Sequence, residues 1–247
     1  MGKIIMITSG KGGCGVSSAG LVFAVSSAEA GRRVLLVDGD AGCRTQDYLA
    51  ATEELLLYDL TDAAAGRCPL PRVWYASPAY EGLWVMPAPL CPQEAPAPEQ
   101  AAALLRECAC YFDEVVVDVP ARSPWLPAVA GAAQEVAVCT MADPLSVRAC
   151  GLLRERLAEA FSGEARLIIS RFDAEETLAV CGSADLDSVI DGVGLRLLGV
   201  VPWDDTFARY TMARDLRGKQ TDAWTALSRC AARLHGETIP LCEKNFV

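Results

Sequence analysis

The segment that most constrains this chain lies at its N-terminus. Lys3 to Thr8 (KIIMIT) reads as a buried strand, and it breaks into Ser9-Gly10-Lys11-Gly12-Gly13-Cys14-Gly15-Val16-Ser17-Ser18. A helical pattern follows at once, with Leu21, Val22, Val25 and Ala28 on one side. Strand, glycine loop, helix is the context that a phosphate cradle needs. Glycines let backbone N–H groups turn inward toward phosphate oxygens, and a helix N-terminus adds partial positive charge. The cradle residues are Gly10, Lys11, Gly12, Gly13, Cys14, Gly15, Val16, Ser17 and Ser18, with the Ser17 hydroxyl placed to reach a magnesium ion. The general phosphate-loop pattern is G-x-x-x-x-G-K-[ST]. Here its lysine slot holds Val16, and a lysine stands early in the loop instead, at Lys11.

Strand-like apolar runs recur at Val34–Val37, Leu83–Met86, Val115–Val117, Glu135–Thr140, Arg166–Ser170 and Leu197–Val201. They lack polar alternation, as strands covered on both faces do. Helix patterns at Ser17–Ala30, Pro98–Cys110, Pro144–Phe161, Ala184–Ile190 and Asp222–His235 fall between and after them. The alternation predicts an α/β fold with a single doubly wound, mostly parallel sheet flanked by helices. The proline-dense stretch from Cys68 to Pro98 is expected to be loop-rich around the strand at Leu83. Strand–helix alternation resumes after it, so residues 1–241 are read as one domain, with a short tail at 242–247.

A net charge of −10 over 247 residues argues against nucleic acid and anionic lipid as partners. No apolar run is long enough to span a membrane. The eleven cysteines are irregularly spaced, no C-x-x-C occurs and His235 is the sole histidine. A zinc or iron–sulfur site within one chain is therefore not expected, and reduced core cysteines in a cytoplasmic protein are.

The second strand ends Val37-Asp38-Gly39-Asp40, and the fourth ends Val117-Asp118-Val119-Pro120-Ala121-Arg122. Carboxylates at the C-terminal ends of parallel strands face the ligand crevice of an open sheet. Asp40 could orient an attacking water and Asp38 could support magnesium or its waters.

The string Lys11-Gly12-Gly13-Cys14-Gly15 resembles the deviant Walker A motif of MinD- and ParA-type ATPases, K-G-G-x-G-K-[ST]-[ST]. Asp38-Gly39-Asp40 is similar to that family's switch I, and Asp118-Val119-Pro120-Ala121-Arg122 to its switch II. Ile168-Ile169-Ser170-Arg171 resembles the strand end that recognises the base. Leu198 to Asp204 resembles the strand and loop that close over it, through Pro202, Trp203 and Asp204. Gly236 to Leu241 is similar to the terminal segment of the MinD branch. The resemblance implies ATP or ADP with Mg2+ as cofactors, and Asp118 as a magnesium-holding carboxylate. It also implies a nucleotide-sandwich homodimer in which Lys11 reaches the partner's site, and a regulatory protein partner.

Four departures qualify those implications. Val16 removes the ammonium that contacts β- and γ-phosphate oxygens. Such a charge-assisted bond is worth roughly 1.5–3 kcal/mol, so binding should weaken about tenfold to hundredfold, and turnover more. Arg122 replaces a glycine near the γ-phosphate, and Ser170 replaces an asparagine. The six residues after Leu241 are too few for a membrane-surface helix, so no direct membrane anchor is expected. The expectation is a MinD-like switch in cell division or other spatial regulation, with ATP hydrolysis slowed or lost. The alternative is a non-hydrolysing scaffold that acts by binding protein partners.

Overall fold

In the computed structural model, which describes residues 1–181 and 185–241, β1 (Lys3–Ser9) is the fifth strand of an eight-stranded sheet. The chain continues through α1 (Val16–Glu29), β2 (Val34–Asp38), α2 (Thr45–Leu49), α3 (Leu60–Ala64), β3 (Tyr75–Ala76) and β4 (Leu83–Met86). It then forms α4 (Pro98–Cys108), β5 (Glu114–Asp118), α5 (Leu126–Ala132), β6 (Glu135–Thr140), α6 (Pro144–Ala160) and β7 (Arg166–Phe172). The last elements are α7 (Ala174–Cys181), α8 (Leu186–Val193), β8 (Arg196–Pro202), α9 (Asp205–Met212) and α10 (Asp222–Leu234).

The strand order is β3-β4-β2-β5-β1-β6-β7-β8, parallel throughout except for the β3–β4 pair. Each strand side chain points to the face opposite its neighbour's. Ile4 and Met6 therefore enter one core, with Leu105 of α4, Val129 of α5 and Leu153 of α6. Ile5 and Ile7 enter the other, with Leu21 and Val25 of α1 and Leu227 of α10. Both faces are covered, which is why the strands read as unbroken apolar runs. The doubly wound sheet expected from the alternation is present.

All seven expected strands form. The two-residue β3 and the short helices α2, α3, α5, α7 and α9 were not foreseen, because each is too brief to display a period. The helix expected from Ala184 begins at Leu186, capped by Asp185. Ala184 itself and the tail at 242–247 lie outside the described residues. Among the described residues no helix is long and apolar enough to cross a membrane.

The loop after β1 is pressed against α6. A Cβ at Gly10 would lie 2.3 Å from the Ala149 carbonyl carbon, far inside contact distance, and the Gly10 N–H points to Cys150 Sγ at 3.4 Å. Gly10→Ala should destabilise the protein by about 1–3 kcal/mol, as overpacking does. A urea midpoint equal to that of wild type would show that the loop yields freely.

Candidate functional site

The C-terminal ends of β1, β2, β5, β7 and β8 open onto one cavity of about 520 Å³. Its floor is the glycine loop. Gly13 and Gly15 sit at φ +84° and +81°, and a Cβ at Gly12 or Gly13 would meet nothing within 4 Å. These positive angles are what glycine tolerates, and they turn the loop around open space. No side chain caps the first turn of α1, whereas Asp143, Asp204 and Thr221 cap α6, α9 and α10. An uncapped helix N-terminus facing a cavity is an anion-binding arrangement.

One wall is carboxylate. Asp40 and Asp118 line the cavity, while Asp38 is fully buried behind them. Asp38 Oδ1 accepts from the Asp40 N–H, and Asp38 Oδ2 from the Gln46 N–H, both at 2.8 Å. Asp38 thus holds the loop after β2 rather than facing the cavity. Asp118 bonds the Ser17 and Gln46 side chains. Gln46, which sequence reasoning missed, joins the pieces: its Nε2 donates to Asp118 Oδ2 at 2.8 Å and to the Ser17 carbonyl at 3.0 Å. Burial pushes the Asp38 carboxyl up to about 7, with the nearby Asp118 adding to the rise. Burial also raises Asp40 and Asp118. Desolvated carboxylates beside a hydroxyl are a donor set that fits a magnesium ion shared with phosphate oxygens.

The remaining predicted residues divide. Gly12, Gly13, Gly15, Val16, Ser17, Ser18, Ser170, Arg171, Pro202, Trp203 and Asp204 line the cavity. Gly10 packs under α6, and Cys14 is fully buried beneath the loop. The Lys11 side chain is 41% exposed, with its Nζ 3.5 Å from Ser146 Oγ and 4.0 Å from Asp143 Oδ2. Arg122 is exposed and does not line the cavity. Val16 packs on the core beneath α1 as well as lining the cavity, so the lysine slot is apolar in contact as well as in name. Arg171 is the cationic residue of the cavity wall.

Residues 5–215 match a family described as the CobQ/CobB/MinD/ParA nucleotide binding domain. The chain belongs to that family. It is 31% identical to the septum site-determining protein MinD of Bacillus subtilis (strain 168), over 98% of this chain and 92% of the relative. Among solved structures it is similar to the MinC:MinD cell division protein complex of Aquifex aeolicus. That match has a TM-score of 0.86 at 23% identity, covering 98% of this chain and 99% of that one. It is also similar to the septum site-determining protein MinD complexed with Mg-ADP from Pyrococcus horikoshii OT3. There the TM-score is 0.80 at 20% identity, covering 95% and 96%. These two structures establish that this MinD/ParA-type chain has the family's fold.

For this MinD/ParA-type site the sign of the pH dependence follows from Asp38. An aspartate whose folded pKa lies near 7, against about 3.8 as its ordinary value, binds a proton more tightly in the folded state. The stability it contributes is complete below pH 4 and is lost as pH rises to 7, on the order of 4 kcal/mol. In protein free of nucleotide and magnesium, the stability of wild type relative to Asp38→Asn should fall across that window and level off above it. Parallel urea-midpoint profiles for the two proteins would show that Asp38 titrates normally.

Proposed function

We propose that this chain is a MinD/ParA-type switch that binds ATP with magnesium and dimerises around it, with hydrolysis slowed or lost. The carrying observation is the open glycine cradle at an uncapped helix N-terminus, opposite the Asp40–Asp118 wall, with Val16 in the lysine slot. The cradle N–H groups and the N-terminus of α1 would hold phosphate oxygens. Ser17 and Asp118 would hold magnesium, with Asp38 fixing the loop that carries Asp40. Bound there, the ion would neutralise phosphate charge and the buried carboxylates together. Asp40, half-buried on the wall, is placed to orient a water.

Slow turnover follows from charge. The phosphate end offers helix-terminal N–H groups but no lining ammonium, and charge that builds on phosphoryl oxygens in the transition state needs one. Lys11 is held near Asp143 and Ser146 of its own chain, half exposed and free to extend toward a second copy. The related Bacillus subtilis protein determines the septum site, and the Aquifex aeolicus structure is a complex with MinC. We assign the present chain to the same class of work: cell-division or other spatial regulation in the cytoplasm, through itself and a regulatory protein, without nucleic acid.

A second reading, a scaffold that no longer answers to nucleotide, draws on Val16, on the exposed Arg122 and on a cavity wall richer in aspartate than in cations. Thermal shift separates the two readings, because a ligand that binds only the folded state raises Tm. ATP with magnesium should raise Tm, and Val16→Lys should tighten ATP about tenfold to hundredfold by calorimetry. No shift at millimolar ATP in either protein would favour the scaffold.

Dimerisation has its own check. Light scattering should report a dimer with ATP and magnesium and a monomer with ADP. Lys11→Ala should abolish the ATP-dependent dimer, and an unaltered dimer would remove Lys11 from the interface.

A further inference from the structure

Two short helices from distant parts of the chain meet at the cavity. α2 contributes Thr45 and Leu49 to its lining, and α9 contributes Phe207, Ala208, Thr211 and Met212. Leu49 and Thr211 are buried, whereas the adjacent Tyr48 and Met212 are exposed. The inward residues wall the cavity, and their exposed neighbours carry the contact between the helices on its outer side.

Side chains bridge the helices there. The Tyr48 hydroxyl donates to the Met212 carbonyl at 3.2 Å. The Arg214 guanidinium lies 4.6 Å from the centroid of the Tyr48 ring. Arg214 Nη1 also pairs with Glu53 Oε1, in the turn that follows α2. A guanidinium can present its face to a ring and its edge to a carboxylate at once, so the two contacts do not compete.

The backbone is unusual at the same place. α2 and α9 each run out into a residue with left-handed geometry, Ala51 at φ +58° and Arg214 at φ +55°. Glycine is the usual residue there, because a Cβ is strained at such an angle. Strain of this kind persists where surrounding contacts over-determine it, and it gathers at ligand clamps and switch regions. The two helices are held unequally. α2 is pinned by Gln46, which bonds Asp38, Asp118 and the Ser17 carbonyl. α9 is mostly exposed or half-buried, with Thr211 turned inward.

We propose that Tyr48, Glu53 and Arg214 form a clasp that closes α9 onto α2 over a bound nucleotide and sets the rate at which the nucleotide leaves. The proposal rests on the nucleotide reading above and names how retention at that site is regulated. With the clasp open, α9 swings from the cavity while α2 keeps its place on the carboxylate wall.

The test is release of a fluorescent ADP, N-methylanthraniloyl-ADP, from the full chain with magnesium, chased by excess ADP in a stopped-flow instrument. Arg214→Ala and Glu53→Gln should each speed release by about fivefold to tenfold, the size expected of a ring-stacked, partly exposed ion pair. The double variant should release no faster than Arg214→Ala alone, because both changes open one clasp. Glu53→Gln keeps the shape of the side chain, so it carries the test if Arg214→Ala loses stability. Arg217→Ala is the control: Arg217 pairs with Asp215 and lies over Tyr210 without reaching α2, and its loss should leave release unchanged. Wild-type release rates in both Arg214→Ala and Glu53→Gln would overturn the clasp and leave the nucleotide reading intact. So would equal acceleration by Arg217→Ala. Failure of the wild-type chain to bind the fluorescent ADP would overturn both.

Discussion

Three loops of this protein are tied together by one residue. Through Nε2, Gln46 bonds the Ser17 carbonyl at the start of α1 and the Asp118 carboxylate at the end of β5. Through its backbone N–H it bonds Asp38 at the end of β2. The phosphate loop and both acidic strand ends are thus fixed relative to one another by a residue that is itself fully buried. Removing one partner from such a buried set leaves a charged acceptor desolvated, at a cost of roughly 1–3 kcal/mol or more. The rigidity of the carboxylate wall depends on that node, and so does the position of Asp40.

The same geometry leaves the wall short of cations. Buried carboxylates repel one another and resist ionisation, and the elevated Asp38 carboxyl reflects that frustration. A divalent cation would relieve it, which supports the magnesium role proposed for the acidic wall. The apolar Val16 works in the other direction, because it places core-like surface where a phosphate-binding ammonium is expected. On the proposed reading, the site holds a nucleotide and is weakly equipped to stabilise charge during its cleavage.

Much of this was legible in the chain. The strands could be read because each is covered on both faces, and continuous apolar runs such as Val115–Val117 and Val34–Val37 have no alternative use. The phosphate loop could be read because glycine is the residue that accepts φ near +80° at positions 13 and 15. Gln46 was not legible. A glutamine in a polar stretch carries no local signal, and its importance comes from partners at positions 17, 38 and 118. The cap at Asp204, and the short helix it begins, were hidden for the same reason, since brief elements are settled by tertiary contacts.

By itself, then, the sequence determined the doubly wound sheet, the glycine cradle at the head of the first helix, the carboxylates at the strand ends and the absence of the ordinary loop lysine. Those are local properties: backbone angle, hydrophobic period and residue identity. Tertiary structure decided which of the named residues face the cavity. It turned Asp38 inward to hold a loop, bound the Ser170 hydroxyl to backbone carbonyls and stacked Arg171 on Trp203. Each of those outcomes joins residues on different elements, and only the packing of the strands brings them within reach of one another.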